Sequence, residues 1–126
     1  MEKSIAEIID GFSIMQLKVE KICTPEMLSK MDRYKIALKE IKEKFPQYNW
    51  DNVLKIFLEV NNAIWKYEGV VKKAVLKDDL IEVAHNAIIV RELNSVRTAL
   101  CSLLSLFIGE SDEVTTKKDY LASGKE

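Results

Sequence analysis

The sequence predicts an all-α fold, an antiparallel bundle of four amphipathic helices, and three observations carry that expectation. Apolar residues recur at helical spacing through four successive stretches. Only four Gly and two Pro punctuate the 126 residues, whereas an all-β chain needs a turn signal about every ten residues. The composition, 48% hydrophobic and 31% charged, is that of a folded domain and not of a disordered segment. A chain of this length can bury a core without disulfides or metals. The expected organisation is a helical bundle domain over 1–109 followed by a polar, flexible tail over 110–126, with one helical turn near Lys117 to Leu121.

The first helix opens on the capping-box pattern Ser4-Ile5-Ala6-Glu7. Ile5, Ile8, Ile9, Phe12, Val19 and Ile22 then form one apolar stripe. Gly11 within it costs roughly 1 kcal/mol relative to Ala and reads either as the mark of a close helix crossing or as a tolerated glycine. Thr24-Pro25-Glu26 is a stop and a restart: an N-cap, a proline at the first helical position and an acid at the positive end of the dipole. The second helix carries Met27, Met31, Tyr34, Leu38, Ile41 and Phe45 in alternating four- and three-residue steps and ends at Pro46. That seam suits a nearly antiparallel neighbour.

The third helix starts near Asn49 or Asp51 and runs to about Leu76, with Val53, Phe57, Val60, Ile64, Tyr67, Val71 and Ala74 as its main stripe. Apolar residues on its flanks, Leu54, Ile56, Leu58, Trp65, Val70 and Val75, imply cover on more than one side. Asp78 or Asp79 caps the fourth helix, which stops at Gly109 after Ile108. Its inner face reads Val83, Ala87, Val90, Asn94, Arg97, Cys101, Leu104 and Ile108. The third and fourth helices would each extend about 40–45 Å at about 1.5 Å per residue, more than the shorter first pair can cover. Either the long helices bend or break, or a second subunit covers the overhang. The stretch Leu100 to Ile108, apolar nearly all round, favours the second subunit, so a homo-oligomer built through the third and fourth helices is expected.

The charges nearly cancel, 19 Lys+Arg against 20 Asp+Glu, so the basic excess of a phosphate-neutralising nucleic-acid binder is absent. The cationic second helix (Lys30, Arg33, Lys35, Lys39, Lys42, Lys44) is offset by Asp32, Glu40 and Glu43 and reads as a solvated mixed-charge face. The most apolar run, Thr98 to Ile108, falls well short of the about twenty residues of a membrane span. The opening MEKSIAEIIDGF is charged and amphipathic, unlike a signal peptide, and Cys23 and Cys101 read as reduced thiols. A cytoplasmic protein with neither nucleic-acid nor membrane partners is expected.

No catalytic or metal-ligating set emerges, and no cofactor is implied. His85 is the single histidine and reads as a helix-surface residue, and no glycine-rich phosphate loop precedes any helix. Ser102 lies in an apolar helical run and not at a nucleophile elbow. The polar residues of the long helices say more. Asn61 sits among Phe57, Val60 and Ile64; Glu68 follows two turns on, with Lys72 one turn further. Asn94 and Arg97 fall on the inner stripe of the fourth helix. A buried Arg demands a partner, and Glu68 is the expected one, through a bidentate pair. Two readings stay open: a polar layer that fixes register or oligomeric state, or a pocket for an anionic or amide-bearing small ligand lined by Asn61, Glu68, Lys72, Asn94 and Arg97.

The stretch Ile5 to Ile14 with Leu17-Lys18, the set Asn61, Ile64-Trp65, Glu68 and Lys72, and the element Asn94, Arg97, Leu100 together resemble a family of small helical proteins of bacterial and phage genomes, described only as a domain of unknown function. The resemblance covers about half the chain. It departs at Gly11-Phe12, where the family carries a basic residue and a Leu, and at Lys72, where Arg is usual. It implies an all-helical fold and a shared polar set of Asp10, Ser13, Lys18, Asn61, Glu68, Asn94 and Arg97, and it supplies no activity. The function expected is that of a non-enzymatic interaction or scaffold protein. The alternative that the resemblance suggests is a phage-encoded protein that sequesters a nucleotide-like or anionic ligand. A helical nucleotide hydrolase holding magnesium ranks third, because Glu59, Glu68, Asp78, Asp79, Glu82 and Glu92 are scattered along the helices.

Overall fold

A computed structural model describes residues 3–109. They form four helices in chain order: α1 (Ile5–Lys21), α2 (Pro25–Lys44), α3 (Trp50–Leu76) and α4 (Leu80–Ile108). No strand occurs among the described residues. The polar tail over 110–126, with its expected turn near Lys117 to Leu121, lies outside the described residues.

Each helix begins where a short polar side chain can satisfy a free backbone N–H. Ser4 Oγ accepts from Glu7 N at 3.1 Å and Thr24 Oγ1 from Met27 N at 3.2 Å, with Pro25 at the first turn as its sequence context predicts. Asn49, not Asp51, caps α3 by accepting from Asn52 N at 3.2 Å, and Asp79, not Asp78, caps α4 by accepting from Glu82 N at 3.1 Å. The helix ends are equally local. Asp78 adopts a left-handed conformation (φ 54°), and Asp78 N and Asp79 N donate to Val75 O and Ala74 O, which closes α3 and reverses the chain into α4. Gly109 (φ 66°) ends α4 in the same way.

The bundle is organised around α1. It packs against each of the other three helices, while α3 and α4 form the most extensive pair, an antiparallel hairpin. Ile9, Phe12 and Met15 of α1 meet Met31, Leu38 and Ile41 of α2 and Trp50 and Phe57 of α3 in one core, with Leu100, Cys101, Leu104 and Ile108 of α4 packed on its edge. The seam foreseen on α2 is the one used. Trp50 Nε1 donates to Phe45 O at 2.8 Å and stands edge-on to Tyr48, so the Pro46 turn is folded onto the core.

The close crossing at Gly11 is real. A Cβ there would lie 2.5–2.8 Å from the phenol end of Tyr34, so the bare backbone of α1 is the seat of that ring. Lys3 Nζ donates to Tyr34 Oη at 2.9 Å, which raises the Lys3 pKa above its ordinary value.

The two long helices neither break nor end early, and α1 and α2 do not cover them. Leu76, Leu80 and Ile81, at the hairpin tip, are 86%, 78% and 83% exposed. At the other end Leu103 and Phe107 point outward while Leu104 and Ile108 pack inward. No helix among the described residues is long and apolar enough to cross a membrane.

Candidate functional site

Because α1 wedges against the α3–α4 hairpin, its polar residues Asp10 and Ser13 enter the seam between the long helices, where both are buried. Ser13 Oγ donates to Asp10 O at 2.7 Å, the back-bond by which a helical serine satisfies its own proton. Asn61 of α3 uses its amide twice, donating from Nδ2 to Asp10 Oδ1 at 3.0 Å and to Ser13 Oγ at 2.7 Å. Arg97 of α4 completes the group: Nε donates to both Asp10 oxygens at 3.0 Å and Nη2 to Oδ2 at 2.7 Å. Four side chains from three helices thus form one charge-assisted network. No buried side-chain nitrogen or oxygen among the described residues lacks a partner.

The carboxylate has the stronger claim to being buried, at 11% side-chain exposure against 33% for the guanidinium. Hydrogen bonding to Asp10 is the largest influence on Arg97 and raises its pKa above the ordinary guanidinium value; partial burial opposes it, and the negative charge of Asp10, with a smaller share from Glu68, adds to it.

This geometry corrects two expectations. The partner of Arg97 is Asp10, not Glu68, because the first helix rather than the third presents a carboxylate in the seam. Glu68 is exposed and acts on Arg97 only through longer-range attraction. Asn94 does not face inward. It is exposed and donates from Nδ2 to Val90 O of its own helix at 3.1 Å. The inward-facing line of α4 runs through the buried Asn86 and the half-buried Val83, Val90, Leu93, Arg97, Leu100 and Leu104, which leaves Asn94 about 100° around the helix from Leu93. Asn86, which the inner-face pattern passed over, is buried and donates to Glu82 O at 2.8 Å.

Beside the network, α1, α3 and α4 enclose an open cleft of about 210 Å³. Ile14 and Leu17 contribute its apolar wall, and Lys18, Trp65, Glu68 and Arg97 its functional groups. Lys21, one turn after Lys18, holds its ammonium 5.8 Å from the centre of the Trp65 ring. Lys72 stays out of this cleft; with Glu68 it lines a neighbouring one of about 250 Å³ between α3 and α4, alongside Val71, Ala87 and Val90. The structure therefore brings Asp10, Asn61 and Arg97 together, sets Lys18 and Glu68 at the rim beside them, and separates Lys72 and Asn94 from them. Trp65 and Lys21 were not among the residues singled out for the site; an aromatic flanked by two lysines on the facing helix becomes a signal only once α1 and α3 are known to touch. Among the described residues no group of three or more His, Cys, Asp or Glu is placed to hold a metal ion. His85 is exposed on α4.

Comparison with known proteins found no matching family model, no curated protein and no solved structure similar to this chain.

Proposed function

We propose that this chain is a non-enzymatic helical interaction protein of the cytoplasm that works as a homodimer, paired through the outer face of α4. The observation that carries the reading is an exposed apolar stripe along that helix. Ile81, Ile88, Val96 and Leu103 follow one another at intervals of about two turns, and Phe107 continues the line. The exposed Ala84 and Ala99 lie between them and allow a neighbouring backbone to come close. Because the opposite side of α4 packs against α3 and α1, the helix is apolar on two faces, and only one has a partner among the described residues.

A second copy fits this stripe better than an unrelated surface does. The stripe runs roughly 40 Å at about 1.5 Å per residue, and a second copy supplies an apolar stripe of the same length, with Val96 and Ala99 near its middle. An antiparallel copy related by a two-fold axis near the middle of the stripe sets the Ile81 end against the Phe107 end. The Asp10–Arg97 network then serves as the register-fixing layer behind the interface. Neither Cys23 nor Cys101 forms a disulfide among the described residues, which suits a reducing compartment.

Native mass spectrometry tests the reading. The expected species is a dimer of the 14.5 kDa chain. The double variant Ile88→Glu/Leu103→Glu is expected to be a monomer of unchanged helicity, since both side chains are exposed within one chain. A native chain that is monomeric at micromolar concentration overturns it.

A further inference from the structure

Beyond self-association, we infer that the cleft between α1, α3 and Arg97 is a binding site for a small anion that carries a planar ring, of the nucleotide or aryl phosphate type. Three features converge on that chemistry. The first is a fixed cation. Arg97 is held by Nε and Nη2 against Asp10, which is itself held by Asn61, so the guanidinium is oriented before any ligand arrives and keeps further N–H donors, on Nη1 and Nη2, beyond those given to Asp10. The second is an uncommitted cation. Lys18 lines the same cleft, half-buried, and enters no ion pair among the described residues, where only Lys42–Asp51 and Arg97–Asp10 are formed.

The third is a flat apolar surface. Trp65 faces the cleft beside Ile14 and Leu17, and Lys21 rides above its ring. A ring can stack on the indole while its anionic group reaches Lys18 and Arg97. The acids nearby are Glu68, which lines the cleft, and Asp10, which does not line it and is already paired to Arg97. Glu68 has no ion pair among the described residues and is placed to accept a hydroxyl or N–H proton from the ligand. With Lys18, Lys21 and Arg97 against these two carboxylates, the balance favours an anion. A cleft of about 210 Å³ holds one ring and one anionic group, and the neighbouring cleft across Glu68 provides room for a larger ligand to extend. The site lies on the inner side of α4, so its occupation does not depend on the outer stripe.

Isothermal titration calorimetry on the full chain with adenosine monophosphate and phenyl phosphate tests the assignment, with adenosine and inorganic phosphate as the ring-only and anion-only probes. At least one of the first two is expected to bind saturably at one per chain. Its affinity should fall about tenfold or more in Lys18→Glu and in Trp65→Leu, and stay unchanged in Lys42→Glu, at the exposed ion pair with Asp51. Lys18→Gln, which keeps the side chain's polarity and removes only its charge, should fall in between, and circular dichroism of each variant separates lost binding from lost folding. Failure of both ring-bearing anions to bind overturns the proposal. So does binding that Lys18→Glu and Trp65→Leu leave intact, or inorganic phosphate binding as tightly as either. A monomeric chain that still binds would refute the dimer and spare this site; a dimer that binds neither probe would do the reverse.

Discussion

Removing the Asp10 carboxylate would strand the Arg97 guanidinium in a seam it shares with Asn61 and Ser13. Breaking a fully buried pair from one side costs about 3–5 kcal/mol. Here Arg97 keeps one-third of its side chain in water, and solvent screening reduces the penalty, so Asp10→Ala is expected to cost about 2 kcal/mol in urea unfolding at fixed protein concentration. Adding Arg97→Met to that variant should recover part of the loss, because an apolar side chain of similar length leaves no uncompensated charge. If the double variant is no more stable than Asp10→Ala, the pair is not the source of the penalty. The raised Arg97 pKa adds stability that is present below the ordinary guanidinium value and lost only above it, so this cation contributes no pH dependence near neutrality. The need for a partner at Arg97 was legible in the sequence, because an inward-facing Arg must have one. The partner's identity was not. Periodicity assigns each helix a face, but Asp10 and Arg97 are 87 positions apart, and which faces meet depends on the packing of α1 across the hairpin.

At the scale of the helix, two glycines with the same local pattern have opposite consequences. Gly69 lies inside α3 with nothing within 4 Å of where a Cβ would sit. Gly69→Ala is therefore expected to stabilise by about 1 kcal/mol through helix propensity alone. Gly11→Ala gains the same propensity and loses the Tyr34 seat and its Lys3 bond. It should give no net gain in the native chain and a gain of about 1 kcal/mol in a Tyr34→Ala background. Urea titration of the four-member cycle measures this, and equal effects in both backgrounds would mean that Tyr34 moves aside freely. The helices themselves were legible nearly to the residue, since caps and stops are chemistry of adjacent positions: Ser4, Thr24-Pro25, Pro46 and Gly109 all act where they stand. The phase of α4 was less so. A helix apolar on two faces has no single inner stripe to read, which is why the periodicity puts Asn94 inside and passes over Asn86.

For the whole molecule, the decisive property is how two copies meet. A dimer joined by apolar surface gains stability with concentration, about 1.4 kcal/mol for each tenfold increase. The thermal midpoint of the native chain should therefore climb with concentration, and that of Ile88→Glu/Leu103→Glu should not. The direction of pairing is testable from the same stripe. In an antiparallel dimer the Ile81 end of α4 lies against the Phe107 end of the other copy, and each contact occurs twice. Ile81→Ser and Phe107→Ser then remove two sides of one contact, and the double variant should lose distinctly less dimer affinity than the sum of the singles. In a parallel dimer Ile81 meets Ile81 and Phe107 meets Phe107, in contacts roughly 40 Å apart along the helix at about 1.5 Å per residue, and the two losses should add. Sedimentation equilibrium of the four proteins distinguishes the cases. Additive losses would move the two-fold axis from across α4 to along it.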